Sequence, residues 1–517
     1  MQAALRGTAT RKTRVSIAHW QVPVARGGGG PYTASTIGEP MTEGYRRHLG
    51  LFSAVMLLAG SMIGSGIFIV SADMVRTGHT PGFLLLAWGL TALLTVVGAL
   101  SYGELAGLYP QAGGQYTYLR EIYGPMTGFL YGWTFFAVIE CGTIAAVAVG
   151  FGKYLGSFLP WVSDGSWLVG PLHLPAVAVT SSIALGPYDL GLTTARAAGI
   201  AVILFLTFVN AYGIRLGARI QNVFTVVKIG SLAALILLGL FMAPRVAPDP
   251  HAFVPKVGTP LLPFLAALLV VQTGSLFSAD AWNSVTFIAG EVKNPKRTIP
   301  LALFIGTGVV SVMFLLANVA YLRLLGPAGI AGAHGDRVGS TALTMLFGPL
   351  GGLAMSGAIL VSMFGCENGL VLSGARVYQT MAKDGLFLGR AARLNAQGVP
   401  AFALGIQAVW ASALTLSGTY GQILDFVIFA ALLFYVLTVG GVIVMRLRRP
   451  DLERPVKVFA YPLLPLLYLA GALAIMVALF IYRPAFTWPG LVIVAMGIPL
   501  YALRDRAPQP GPGVRPA

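Results

Sequence analysis

Ionisable residues are scarce: Asp, Glu, Lys and Arg make up 10% of the 517 residues, with 18 acids, 34 bases, 6 histidines and 2 cysteines. Both cysteines, Cys141 and Cys366, fall in apolar runs, so no loop thiol is available for a structural bridge or a disulfide-linked partner chain. The histidines (His19, His48, His79, His173, His251 and His334) lie in tails or loops, leaving no cluster for a metal in an apolar core. No G-x-x-x-x-G-K-[ST] phosphate loop is present, so direct nucleotide drive is not indicated. No apolar run pairs a nucleophile with a base, which argues against an intramembrane hydrolase, and no cofactor is implied.

What fills the chain instead is hydrophobic surface, 56% of residues, with a mean hydropathy of +0.77. That composition belongs to a protein embedded in a lipid bilayer. Apolar stretches long enough to cross one run at about 51–75, 82–109, 125–156, 196–214, 219–243, 262–289, 299–324, 340–382, 400–417, 421–446, 459–482 and 487–503. Twelve crossings place both termini on one side. A net charge of +16 would suggest nucleic acid in a soluble chain, but here location decides its meaning. Placing the termini inside assigns 25 of the 34 Lys and Arg residues to tails and inner loops and eight to outer loops, the orientation that positive-inside bias predicts for a cytoplasmic membrane. Lys228 alone belongs to neither side.

Residues 1–45 are polar, basic and Gly-rich and lack the apolar core of a signal peptide; they are expected to form a disordered cytoplasmic tail, with Met41 as an alternative start. Residues 46–505 hold the transmembrane domain, and 506–517 form a second, Pro-rich disordered tail. The longest outer segment, about 158–195, is expected to be a loop lid or an interfacial element. Tyr109–Tyr116 reads as a turn-rich inner connection, and Lys293–Arg297 as a basic turn that launches the next helix at Pro300.

The first span carries Gly60, Gly64 and Gly66 inside Ala59–Phe68. A helix interrupted at membrane depth releases backbone N–H and C=O groups, tolerable only beside protein or a water-filled cavity. A half-helix starting near Gly66 would aim its positive end at an anionic group. The plainer alternative is close helix packing through small residues. The sixth span is interrupted as well, at Leu276–Asn283, by Asp280 and Asn283. Breaks in the first and sixth spans are corresponding members of two five-helix halves, which points to an inverted repeat with its site at the midplane.

Five ordered blocks extend this pattern: Gly64–Phe68, Ser101–Leu105 leading to Pro110–Tyr116, Glu291–Pro295, Phe364–Gly369 and Arg449–Pro455. Together they resemble the amino acid-polyamine-organocation (APC) transporter superfamily, and within it the L-type amino acid transporter branch and its bacterial relatives. The resemblance implies an all-α integral membrane protein of twelve transmembrane helices, with a LeuT-type 5+5 inverted repeat, discontinuous helices 1 and 6, and two extra C-terminal helices. It implies an amino acid as substrate, moved without sodium by exchange or proton coupling; no loop cysteine is available for a disulfide-linked heavy subunit. The substrate carboxylate would meet the backbone amides of Ser65, Gly66 and Ile67, and its amine the carbonyls of Met62, Phe277 and Asp280. Phe277 would serve as an aromatic gate, its plainer role being helix packing.

Lys228 lies nine residues beyond Arg219, about 13 Å along its helix and near bilayer depth. An unpartnered ammonium there costs at least about 2.5–3.5 kcal/mol. Sodium-independent relatives place a lysine of this helix at the sodium position, bridging the first and eighth helices. Glu140 stands mid-way along the third span. It is read as a partner for a cationic substrate side chain, as a proton carrier, or as a structural acid bonded to a neighbouring helix. Ser278 joins Glu140, Phe277 and Asp280 as a candidate selectivity position. Glu104, Asn283 and Asn368 read as inner-gate or helix-bracing polar residues, Arg376, Lys383 and Asp384 as a solvated helix end, and Arg446–Arg454 as a membrane-anchoring basic loop. A polyamine or organic-cation antiporter and a non-transporting receptor are the competing functions.

Overall fold

A computed structural model describes residues 47–504, apart from 176, 181–182, 186–187, 213, 243–259 and 418–419; the two expected tails, 1–45 and 506–517, lie outside the described residues. The first apolar stretch forms α1 (Leu51–Met62), α2 (Gly66–Ile69) and α3 (Ser71–Gly78). Val70, between the last two, keeps helical dihedrals (φ −68°, ψ −23°), so α2 and α3 make one half-helix. The Thr80 hydroxyl then accepts from Phe83 N at 3.2 Å, and Pro81 opens α4 (Pro81–Leu108), a cap-plus-proline start.

The connection after α4 contains an extra helix, α5 (Gln115–Tyr123), which sequence pattern missed because its nine residues alternate polar and aromatic groups. Gly124 at φ +101° turns the chain, Pro125 starts α6 (Pro125–Thr134), and a single π turn over Phe135–Ile139 leads into α7 (Glu140–Leu155). The segment expected as a lid is a β element. Strand β1 (Trp167–Leu174) pairs antiparallel with β4 (Tyr188–Thr193), and β2 (Val177–Thr180) with β3 (Ile183–Leu185).

Next come α8 (Thr194–Ala211), capped by Thr193, and α9 (Ile214–Phe241). The sixth stretch divides into α10 (Leu261–Val270), α11 (Gln272–Ser278) and α12 (Ser284–Phe287). Helix α13 (Pro295–Ala331) begins at Pro295, because Asn294 in the left-handed region already turns the chain, and so Pro300 lies within its first turns. Then follow α14 (Val338–Lys383), kinked at Gly348 before Pro349, α15 (Ala401–Thr415), α16 (Tyr420–Arg448), α17 (Leu463–Tyr482) and α18 (Pro484–Arg504).

Among the described residues, nine helices are long and apolar enough to cross a membrane, and three shorter apolar helices, Leu51–Met62, Ala401–Thr415 and Thr487–Leu503, fall on the remaining apolar stretches. Helix α13 packs along α4, α1 and α9, while α14 packs along α9 and α7. Where lipid supplies no hydrophobic drive, small residues permit this closeness. A β-carbon at Gly199 of α8 would sit 2.6 Å from Ala148 O of α7, and one at Gly152 would strike the Ala195 backbone.

Two ionic knots hold the ends. Beyond α13, Asp336 receives Arg76 Nη2 at 2.8 Å and Lys153 Nζ at 3.3 Å, and Arg337 Nη1 donates to Ser157 Oγ at 2.5 Å. At the opposite, basic end, Asp384 accepts from Tyr116 Oη at 2.8 Å and from Arg120. Partial burial works to raise the Asp336 carboxyl, but the hydrogen bond and charge of Arg76 and the charge of Lys153 hold it below its ordinary value. A depressed carboxyl contributes stability above its unfolded value of about 3.9 and loses it as pH falls through the folded value. Asp336→Asn is therefore expected to destabilise the protein by no more than about 1 kcal/mol at pH 7, as suits a partly exposed pair. In thermal unfolding scans in detergent, that difference should shrink as pH falls below 4; a difference that grows in acid would contradict the assignment.

Candidate functional site

The two interrupted spans meet. After Met62 the chain leaves the helix at Ile63 (φ −78°, ψ 85°), and Gly64 N returns to Met62 O at 2.9 Å. The N–H groups of Gly66 and Ile67 precede the internal ladder of the new half-helix. In the sixth span, Ala279 N reaches Ser275 O at 3.0 Å, Asp280 N reaches Phe277 O at 3.1 Å, and Ala281 adopts φ +62° before α12 begins. A residue with a β-carbon in that region stores strain and marks a site that its surroundings hold in place. The two breaks touch directly: a β-carbon on Gly66 would overlap the Ser278 hydroxyl and stand 2.7 Å from Ser278 Cα.

Lys228, fully buried on α9, reaches across to the first break. Its Nζ donates to Gly60 O at 2.5 Å and Ile63 O at 3.0 Å. Ser362 Oγ of α14 donates to the same Ile63 carbonyl at 3.0 Å, and Cys366 Sγ to Ser61 O at 2.9 Å. Carbonyls released by the break are thus met by one ammonium and two α14 side chains. Asn368, also on α14, donates to Gln221 Oε1 at 2.9 Å and accepts from Asn210 Nδ2 at 2.9 Å, tying α8 and α9 to α14.

Beside the breaks lies a small chamber, walled by Gln115, Tyr131, Phe135, Glu140, Thr143, Asp280, Asn283 and Tyr435 among others. The π turn brings Glu140 onto the same wall as Phe135 and Ile139, where an unbroken helix would turn Glu140 away from Phe135. Asn283 Nδ2 donates to Gln115 Oε1 at 3.1 Å, and Gln115 Nε2 to Thr438 at 3.1 Å. The Tyr435 hydroxyl donates to Asp280 at 2.6 Å. These two residues also border a second cavity toward α4 and α17, so the pair forms a partition.

Of the candidate positions, Glu140, Asp280 and Asn283 reach the chamber wall. Met62, Ser65, Gly66, Ile67, Phe277 and Ser278 are buried at the breaks and do not line it. Ser65 packs toward α7, 3.1 Å from where a Gly150 β-carbon would stand, and Ser278 Oγ donates to Gly274 O at 2.8 Å. Glu104 sits near the end of α4, 1% exposed, where Arg446 grips both oxygens at 3.0 and 2.6 Å, Arg454 Nε approaches at 3.3 Å and Val458 N donates at 2.8 Å.

That arrangement corrects the reading of Arg446–Arg454 as a lipid anchor, since two of its arginines are committed to Glu104. Arg376 is corrected too. It is 1% exposed, not solvated, and its Nε donates to the buried Glu291 at 3.0 Å. Glu291 O in turn accepts from His48 N and Leu49 N at 2.9 and 3.0 Å, and Lys293 N donates to Leu49 O at 2.8 Å, so the start of the first span and the end of the sixth are fastened together. The sequence signal was present: an acid and an arginine flanking apolar helices, which low dielectric drives to pair.

A sequence profile described as amino acid permease matches residues 49–502. The chain belongs to the amino acid permease family of the APC superfamily. Among its relatives, the serine/threonine exchanger SteT of Bacillus subtilis is 30% identical over 464 residues, 89% of this chain and 97% of that one. The b(0,+)-type amino acid transporter 1 of Mus musculus is 29% identical over 481 residues, covering 90% and 89%. Large neutral amino acids transporter small subunit 2 of Homo sapiens is 29% identical over 472 residues, covering 89% and 80%. As a permease, the chain is a multi-pass membrane protein of a transporter family.

Contact between the breaks makes Gly66 intolerant of even one methyl group. Gly66→Ala is expected to cost about 1–3 kcal/mol. Gly308→Ala, where no atom lies within 4 Å, should be neutral or mildly stabilising. Thermal unfolding of the two variants measures both, and equal effects would contradict the contact.

Proposed function

We propose that this permease is a sodium-independent secondary active transporter of amino acids in the cytoplasmic membrane, working by alternating access with both termini inside. Twelve crossings arranged as two inverted five-helix halves plus two C-terminal helices account for the order of breaks. The observation that carries the reading is the meeting of two interrupted helices, whose freed backbone N–H and C=O groups suit the two charged ends of a zwitterion, beside a small chamber with Glu140, Asp280 and Asn283 on its wall. The names of the relatives, an exchanger for serine and threonine among them, support amino acids as the substrate class.

The substrate carboxylate belongs at the N–H groups of Ser65, Gly66 and Ile67, where a half-helix begins. The amine belongs at the carbonyls of Met62, Phe277 and Asp280. Met62 O accepts the Gly64 N–H, and a carbonyl has a second lone pair for the ammonium. Ser278 covers Gly66 in this closed arrangement, so binding requires α2 and α11 to part, with Phe277 moving as the gate. Lys228 occupies released carbonyls that would otherwise draw a cation, which supports transport without sodium. Glu140 on the chamber wall gives a second reading its support: a cationic side chain, of a basic amino acid or a polyamine, would find its counter-charge there.

Counterflow of labelled amino acid into proteoliposomes preloaded with unlabelled amino acid tests the activity. Accumulation is expected at equal rates in sodium and in choline medium. Sodium-dependent counterflow would overturn the Lys228 assignment, and binding without accumulation would indicate a receptor. Glu140→Gln should lower arginine uptake at least tenfold relative to leucine. An unchanged ratio would return Glu140 to a structural role.

A further inference from the structure

Glu367 of α14 is the acid for which neither the fold nor the substrate site has a use. It is 1% exposed, and neither carboxylate oxygen has a hydrogen-bond partner among the described residues. It lies off the chamber wall, whereas Leu370 and Glu140 lie on it. Seven residues on, two helical turns along the same face, Gly374 packs against α7: a β-carbon there would stand 2.7 Å from Glu140 Oε1 and 2.6 Å from Gln407 Oε1. Both of those oxygens also lack a donor. Gln407 Nε2 is committed to Val371 O at 3.2 Å, so its amide offers an acceptor and not a donor beside Gly374. Glu367 itself, buried with no donor to either oxygen, is stable in a dry interior only when a proton removes its charge.

The charges around Glu367 offer no alternative. Helix α9 presents Lys228, which is bonded to the first-break carbonyls. Helix α7 presents Glu140 and Cys141, and α14 itself presents Cys366 and Tyr378. Beyond Glu140 stand Tyr131 of α6 and Asp280 of the sixth-span break, the latter already accepting from Tyr435. Helices α1, α2, α12 and α15 contain no ionisable side chain, α8 carries only Arg196 at its outer end, and the basic residues of α13 lie near its two ends. Arg215 and Arg219 belong to the first turns of α9, and among the described side chains of these helices no cation is left to neutralise Glu367.

We propose that Glu367 is a proton-binding site, that the closed conformation requires the proton, and that transport is therefore coupled to proton movement with Glu140 linking Glu367 to the chamber. This deepens the reading above and rests on it: the proton enters from water on one side, is held on the Glu367 carboxyl through the closed state, and leaves to water on the other side as the carboxylate is uncovered. No bond other than O–H forms or breaks.

Purified full-length protein in proteoliposomes, with a pH-sensitive dye inside and a labelled neutral amino acid outside, tests it. Wild type should acidify the lumen as substrate enters, and an inward proton gradient should raise uptake several-fold. Glu367→Gln should keep counterflow at equal pH on both sides, which shows a folded and turning-over protein, while losing lumen acidification and the gradient response. Glu367→Asp, which keeps an acid, should recover part of both. A gradient response that survives in Glu367→Gln would overturn the proposal, as would net uptake by wild type with no acidification of the lumen. Absence of counterflow in wild type would instead overturn the amino acid transport reading itself.

Discussion

Backbone groups freed by the two helix breaks must be satisfied inside the protein, because a bilayer offers them nothing. Much of the surrounding structure follows from this. Lys228, Ser362 and Cys366 converge on the carbonyls of Gly60, Ser61 and Ile63, and so α9 and α14 are held against α1 by the break and not only by packing. Burying an ammonium carries a large desolvation cost, and the break supplies the partners that offset it. Neither feature is stable at membrane depth without the other.

A second consequence concerns motion. The ends of the first and sixth spans are joined through Leu49, Glu291 and Lys293, and Arg376 clamps that junction to α14. At the other end, Arg76 and Lys153 share Asp336. The Glu291 clamp is buried and shielded from solvent, whereas the Asp336 contact is partly exposed and screened. The Asp336 contact therefore resists separation less strongly, and the two breaks lie between a firm fastening at Glu291 and a weaker one at Asp336.

Hydropathy alone located the apolar stretches, and the glycines and polar residues inside two of them located the breaks. Both signals are local and were legible from one chain. Glu140, Asp280 and Asn283 stood out because polar groups within apolar runs are rare. What stayed hidden depended on three-dimensional proximity: Gln115 on an unforeseen short helix, Tyr131, Phe135 and Tyr435 with the look of ordinary membrane aromatics, and the π turn that rotates Glu140 onto the wall. Arg376 and Arg446 were misread for the same reason. Their acids, Glu291 and Glu104, are 85 and 342 residues away in sequence. The β pairing in the outer segment was obscured by its even scatter of apolar residues, and contact between Gly66 and Ser278 has no sequence signature beyond the smallness of both side chains.

The central claim is that the two breaks recognise the carboxylate and amine shared by all α-amino acids through backbone groups. It is tested most directly by comparing, as inhibitors of labelled uptake, a free amino acid, its methyl ester and its N-acetyl derivative with the same side chain. The account predicts inhibition by the free amino acid and at least tenfold weaker inhibition by both blocked forms. Equal inhibition by all three would show that the protein reads only the side chain and would contradict it.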